Sequence, residues 1–203
     1  WGYLNVAGDY LLGGSDAAPE ASSPKSIGVK FPRLGETDQI ASSKELFALD
    51  RHTGKLLWSA PARFGFRHNA VCVGGGKVFA IDRLSGGQLL RLKKEGKSPA
   101  ESARVCALDL KTGKELWSWD EEVFGTWLSY SEKYDVLIES RRVARDTLSD
   151  EPQGMRAYRA PHGPVLWFEK GYLGPALLHG DPVFTAPPAS PLHPPPPPPP
   201  LSP

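Results

Sequence analysis

Short apolar runs of three to five residues, separated by turns rich in Gly, Asp, Thr and Ser, recur along most of this chain. One arrangement appears three times. Leu46-Phe47-Ala48-Leu49-Asp50 leads through Thr53-Gly54-Lys55 to Leu56-Leu57-Trp58. Val105-Cys106-Ala107-Leu108-Asp109 leads through Thr112-Gly113-Lys114 to Glu115-Leu116-Trp117. Met155-Arg156-Ala157-Tyr158 leads through His162-Gly163-Pro164 to Val165-Leu166-Trp167. Each copy predicts a β-hairpin: two short apolar strands flank a turn whose glycine can take positive φ without a Cβ clash. In the first two copies the Asp and Thr side chains are placed to bond turn backbone groups. The third has Arg159 and His162 instead, and a looser turn is expected there.

A second hairpin pattern lies between these. Leu4-Asn5-Val6 precedes Tyr10-Leu11-Leu12. Ala70-Val71-Cys72-Val73 precedes Lys77-Val78-Phe79-Ala80-Ile81, and Trp127-Leu128-Ser129-Tyr130 precedes Val136-Leu137-Ile138. A fourth copy begins at Ala176-Leu177-Leu178, turns at His179-Gly180-Asp181 and reaches Val183-Phe184. Taken together, the units are four antiparallel strands, A to D, and 59 and 50 residues separate the successive tryptophans 58, 117 and 167. Evenly spaced short strands with one aromatic at a fixed place are the sequence sign of β-propeller blades. The expected fold is all-β: a propeller fragment of three complete blades (1–61, 68–120 and 126–170) and a partial fourth (174–185). A Pro-rich tail, 186–203, is expected to be disordered or to form polyproline II. The tryptophans are expected to fill the wedge between neighbouring blades.

The run Ala-Leu-Asp-x-x-Thr-Gly-Lys-x-Leu-Trp, present at 48–58 and 107–117, resembles the pyrroloquinoline-quinone-type (PQQ-like) propeller repeat. The resemblance covers roughly 1–185. That family includes quinoprotein alcohol dehydrogenases and the propeller lipoprotein of the bacterial outer-membrane assembly machinery. It implies an extracytoplasmic, periplasmic setting. It implies bound quinone and calcium only for the dehydrogenase branch, which also carries a vicinal disulfide and an aspartate base. Here no two cysteines are adjacent. Cys72 falls on strand A and Cys106 on strand C of one blade, so two strand spacings, about 9.6 Å, separate them, too far for an unstrained disulfide.

Composition narrows the partners. Lys+Arg number 24 against Asp+Glu 23, for a net charge of +1. That balance argues against a nucleic-acid groove or an anionic membrane surface. No apolar run approaches the roughly 20 residues of a bilayer span. The chain opens on Trp1 and is within a strand-like pattern by Tyr3, so it reads as an internal segment of a longer protein whose remaining blades complete the ring. An open arc leaves two blade faces uncovered, and self-association or marginal stability is expected of it.

The sequence offers no catalytic constellation and no metal ligand set. Asp50 and Asp109 precede Thr-Gly turns and read as turn caps rather than ligands. Gly74-Gly75-Gly76 leads into a strand, not a helix, and reads as an A–B turn rather than a phosphate loop. Asp82 reads as the end of strand B. The unequal B–C loops all fall on one face: Ser15 to Lys44, Arg83 to Ser102, and Arg141 to Gly154. The second holds Leu89, Leu90 and Leu92 among Arg91, Lys93, Lys94 and Lys97, and is expected to contain a short helix docked by its leucines. The D–A connections, Phe64 to Asn69 and Phe124 to Trp127, lie on the same face. Elaborated loops on one rigid face are where a propeller builds a binding site. Arg67, His68 and Trp127, near the axis, are the expected ligand contacts there, with packing or capping of inner strands as the alternative. No cofactor is expected. The function expected is that of a non-catalytic extracytoplasmic module binding a protein or small molecule on its loop face. The rival expectations are a fragment of a quinone-dependent dehydrogenase and a propeller module of a larger multidomain enzyme.

Overall fold

A computed structural model describes residues 3–17, 42–141, 154–178 and 182–186. Thirteen strands and one helix follow one another along these residues: β1 (Leu4–Ala7), β2 (Tyr10–Ala17), β3 (Ser42–Asp50), β4 (Leu56–Gly74), β5 (Lys77–Asp82), α1 (Gly86–Lys94), β6 (Arg104–Asp109), β7 (Glu115–Trp119), β8 (Trp127–Ser131), β9 (Val136–Ser140), β10 (Met155–Arg159), β11 (Val165–Glu169), β12 (Leu173–Leu178) and β13 (Val183–Ala186). Every pairing is antiparallel and joins strands consecutive in sequence, in three sheets: β1 to β7, β8 to β11, and β12 with β13. The first and third B–C loops (18–41 and 142–153), the fourth A–B turn (179–181) and the tail (187–203) lie outside the described residues.

Three four-stranded blades and one further hairpin result. The third blade is β8 to β11, and β12–β13 is the hairpin. The first two blades are joined, because β4 is continuous through strand D of blade one and strand A of blade two. Its pairing explains how one strand serves two sheets. Between Glu45↔Pro61 and Ser43↔Phe66, β4 advances five residues while β3 advances two. Between Phe66↔Asp82 and Val71↔Ala80 it again advances five against two on β5. Bulges of this kind bend and twist a strand, and here they fold the ribbon so that one sheet faces the other.

The cores prove the stacking. Leu12, Leu46, Ala48, Trp58 and Ala60 of blade one pack against Val71, Val78, Ala80, Cys106 and Leu108 of blade two. The intervening residues of blade two, Phe79, Ile81, Val105 and Ala107, pack against Leu137 and Tyr158 of blade three. The next alternation, Val136, Ile138, Met155 and Ala157, packs with Ala176 of β12. Odd and even positions of one strand thus face two different blades, as a period of two dictates. Both faces are buried, which is why β5 and β6 read as continuous apolar runs instead of alternating ones.

The tryptophans fix the angular order. The Trp58 indole N–H donates to the carbonyl of Leu110 at 2.8 Å, and that of Trp117 to Ala160 at 2.7 Å. Both acceptors lie in the C–D turn of the following blade. The turn glycines are held there by two constraints. Gly113 and Gly163 have φ of 70° and 86°. A Cβ on Gly113 would stand 2.6 Å from the Trp58 ring, and one on Gly163 would stand 2.8 Å from Trp117.

Asp50 accepts from Thr53 N and Oγ1 at 2.8 and 2.9 Å, and Asp109 from Thr112 N and Oγ1 at 2.8 Å each. These bonds hold both carboxyls below the usual aspartate range. The third turn lacks this net, yet it is not loose in its backbone. Arg159 N bonds Pro164 O at 2.9 Å and Gly163 N bonds Arg159 O at 2.8 Å, matching the 2.8 Å bonds of the other two turns. The Gly-Gly-Gly segment is the A–B turn of blade two, with the Tyr130 ring of blade three seated on Gly74 and Gly75. Cys72 and Cys106 are free thiols. Cys106 belongs to the core between blades one and two, whereas Cys72 packs toward the core between blades two and three. Burial raises both thiols, Cys106 to about 12.

Candidate binding face

The ends of the blades opposite the C–D turns carry the B–C loops and the crossovers between blades. The loop after β5 folds as expected into a helix. Ser85 caps α1: its side chain accepts from Gln88 N, and the Gln88 side chain accepts from Ser85 N at 2.9 Å, a reciprocal capping box. Leu89, Leu90 and Leu92 are half-buried, while Arg91, Lys93, Lys94 and Lys97 are exposed. Cations in the last turn also complement the helix dipole.

Beneath this surface lie two buried carboxylates whose roles were not legible in the sequence. Asp82, fully buried at the end of β5, accepts from the backbone N–H groups of Arg63, Phe64 and Gly65 at 2.7, 2.9 and 3.0 Å. It also accepts from Arg104 Nε at 3.2 Å. Those amides belong to the bend in β4, so Asp82 pins the crossover from blade one to blade two. Glu139, fully buried on β9, does the same for the next crossover, accepting from Phe124 N and Gly125 N at 3.0 and 2.6 Å. Its second oxygen accepts from the Tyr158 hydroxyl at 2.5 Å. Burial and this carboxylate together push the Tyr158 pKa upward and keep the phenol protonated. Arg156 completes the cluster. It donates to the carbonyls of Glu121 and Glu122 at 3.0 and 3.1 Å, and its guanidinium lies against the edge-to-face pair of Phe124 and Phe168, 5.3 and 5.2 Å from the ring centroids. Arg83 ties the same loop, donating to Phe124 O at 2.8 Å.

The three residues expected to contact a ligand are placed differently from one another. Arg67 is buried within β4, opposite Ser42, and not on an open loop: the stretch Phe64 to Asn69 is strand. The expectation of an open connection over 64–69 is corrected by the continuity of β4, which sets Arg67 within a strand. His68 is half-buried, with Nε2 2.8 Å from Ser43 Oγ. Burial first, and the neighbouring Arg67 charge second, lower its pKa, so the ring is neutral at pH 7. Trp127 begins β8, half-buried, and donates from Nε1 to Ser129 Oγ at 3.2 Å. β4 and β8 run beside each other as the inner strands of blades two and three.

Among the described residues no group of three or more His, Cys, Asp or Glu converges as a metal would require. The two buried carboxylates face backbone amides and phenol or guanidinium donors. Among the same residues, no helix is long and apolar enough to cross a membrane.

The family model described as outer membrane protein assembly factor BamB matches residues 35–177. The chain belongs to this family. No curated protein matches its sequence. Among solved structures it is similar to BamB from Moraxella catarrhalis, at 15% identity and a TM-score of 0.49, covering 71% of this chain and 38% of that one. It is similar to the quinohemoprotein alcohol dehydrogenase ADHIIG from Pseudomonas putida HK5, at 18% identity and a TM-score of 0.43, covering 63% and 24%. The computationally designed Ika8 protein aligns at 10% identity and a TM-score of 0.51, over 90% of this chain and 41% of that one. The chain spans less than half the length of each. The family match and the stacked blades agree on a β-propeller built of PQQ-like repeats of the BamB family.

Proposed function

We propose that this chain is part of a non-catalytic extracytoplasmic propeller that binds another protein on the face carrying its B–C loops and crossovers, in the manner the family's description as an assembly factor suggests. The observation that carries the reading is how the acids of this face are engaged. Asp82 and Glu139, the two carboxylates with the burial expected of catalytic groups, each accept from two or more crossover amides. A carboxylate filled in that way is a strut, since its lone pairs are occupied before any substrate arrives. On the same face α1 offers a capped helix with exposed cations, and His68 and Trp127 stand at the inner strands as neutral contact groups. Rigid scaffolding under varied loops suits recognition.

Photo-crosslinking in the native host tests the reading. A crosslinker at Lys94, on α1, is expected to yield adducts with a partner protein. One at Lys114, in a C–D turn on the opposite face, is expected to yield none. The same adducts from both positions, or from Lys114 alone, would overturn the assignment of the face. The dehydrogenase alternative is tested separately, by adding the quinone with calcium to the purified chain. Stoichiometric uptake seen by absorbance would favour it over the binding module.

A further inference from the structure

Charge is not spread evenly over the loop face of blade two. The chain as a whole carries a net charge of +1. Between Gln88 and Lys97, four cations, Arg91, Lys93, Lys94 and Lys97, stand against one carboxylate, Glu95, and all five are exposed. Glu95 pairs with Lys97 at 2.8 Å. Glu101, the next acid along the chain, pairs with Arg63 at 2.9 Å. The positive excess of α1 is therefore not cancelled by the acids of its own segment.

The helix also carries apolar surface apart from the packing of the blades. Leu89, Leu90 and Leu92 are half-buried, and the three cores formed by the described residues include none of them. Successive residues of an α-helix are turned by about 100°. Leu89 and Leu92 therefore share one side, whereas Leu90 falls between Lys93 and Lys94, its neighbours at i+3 and i+4. The two ends of α1 differ as well. Ser85 and Gly86 are buried and the capping box closes that end, whereas every residue from Lys93 to Glu101 is exposed. The helix thus projects from a fixed base, with one leucine framed by two ammonium groups near its outer end.

We infer that the protein partner of this face presents an acidic segment to α1, with carboxylates that meet Lys93 and Lys94 and an apolar side chain that covers Leu90. The inference rests on the binding-face reading above and supplies the chemistry of its partner. Two observations choose this occupant together. The excess of cations calls for an anionic surface, and an apolar contact at Leu90 excludes water, which strengthens the ion pairs around it. A helix that lies on a membrane needs a whole apolar side free to enter the acyl boundary. Here all three leucines are half-buried within the protein itself.

A photo-crosslinker in place of Leu90, in the native host, tests this. Sequencing the crosslinked peptide by mass spectrometry is expected to find Asp or Glu on both sides of the attachment point. Lys93→Glu combined with Lys94→Glu is expected to lower the adduct yield about tenfold or more, because like charges then face each other. Lys93→Arg combined with Lys94→Arg is expected to preserve it. Both positions are exposed, so unchanged melting of the purified variants shows that the fold is intact. Adducts that survive the double Glu substitution, or that join a segment without acids, would overturn the inference and leave the binding face standing. An absence of adducts from both Leu90 and Lys94 would remove the face and the inference with it. Vesicles of phosphatidylglycerol are the remaining arm. The chain is expected not to sediment with them, and sedimentation that the double Glu substitution abolishes would assign these lysines to a lipid surface instead.

Discussion

The two ends of each blade are built by different rules. At the C–D turns, three blades repeat one solution: the same pair of backbone bonds and a positive-φ glycine in each, with an indole from the preceding blade over the second and third. At the crossovers the clamp is of one kind, a buried strand-B carboxylate on backbone amides, but each is made from a different residue at a different position. Asp82 ends β5 and holds three amides, with Arg104 as its counter-charge. Glu139 sits within β9 and holds two, with a tyrosine hydroxyl on its other oxygen. The turns set the angle at which blades stack, which must be constant around a ring. The crossovers need only carry the chain across and satisfy its backbone, which many side chains can do.

The greatest effect is expected from the crossovers. Asp82→Asn puts an amide NH2 where one carboxylate oxygen now accepts from Arg63 N or from the Phe64 and Gly65 amides. Neither a backbone N–H nor a guanidinium can reverse its polarity, so donors face a donor and Arg104 loses its buried counter-charge. The expected loss is about 3–5 kcal/mol, the range for breaking a buried pair from one side. Glu139→Gln should cost less, about 1–2 kcal/mol, because the Tyr158 hydroxyl can rotate and accept from the new NH2. Urea unfolding of both variants measures this, and equal losses would show that the two clamps are equivalent after all.

Turns come next, and there the first blade is the internal control. Gly113→Ala must bear both the left-handed backbone and the collision with Trp58. Gly54→Ala bears the backbone strain alone. That strain is roughly 1–2 kcal/mol, and displacing the indole adds a packing loss of roughly 1–3 kcal/mol. Gly113→Ala is therefore expected to lower the unfolding free energy by about twice as much as Gly54→Ala. Equal losses in the two variants would mean that the indole contact contributes little and that turn geometry alone selects glycine.

This contrast also explains how much could be read beforehand. The turn chemistry is local: Asp50 and Thr53 are three positions apart, and a second copy lies at Asp109 and Thr112, so the period exposes both. Blade stacking followed from the same period, although that Trp58 and Trp117 cover the turn of the next blade was visible only in three dimensions. The Asp82 clamp joins residues 17 to 19 positions apart, has its counterpart in a different residue at a different place in strand B, Glu139, and falls at the end of an ordinary apolar strand. Nothing in the linear pattern distinguishes it from a solvated strand end. The strand at Arg67 was hidden for a related reason. A run of Phe, Gly, Arg, His and Asn resembles a loop, whereas tertiary pairing on both edges keeps it in β4 and buries the guanidinium.

His68 permits the smallest and most specific test of the crossover side. Its ring is half-buried beside Arg67 and is held neutral, with a folded pKa below the ordinary 6.5. The unfolded chain takes up the proton near pH 6.5, whereas the folded chain takes it up only at a lower pH. Above about pH 6.5 neither state is protonated and His68 has no effect on the balance. As pH falls below that value, the unfolded state binds the proton first and stability declines, until the folded ring is protonated as well and the decline stops. The half-exposed position screens the effect, so less than about 1 kcal/mol is expected. Asp50 and Asp109, whose pKa values are lowered, lose their contribution only below about pH 4, so the two windows separate. His68→Gln should flatten the urea midpoint between pH 7 and pH 5 while leaving the fall below pH 4 in place. A parent protein whose midpoint is already flat in that upper window would show that the imidazole is protonated equally well in both states, and that the crossover is open to water at this point.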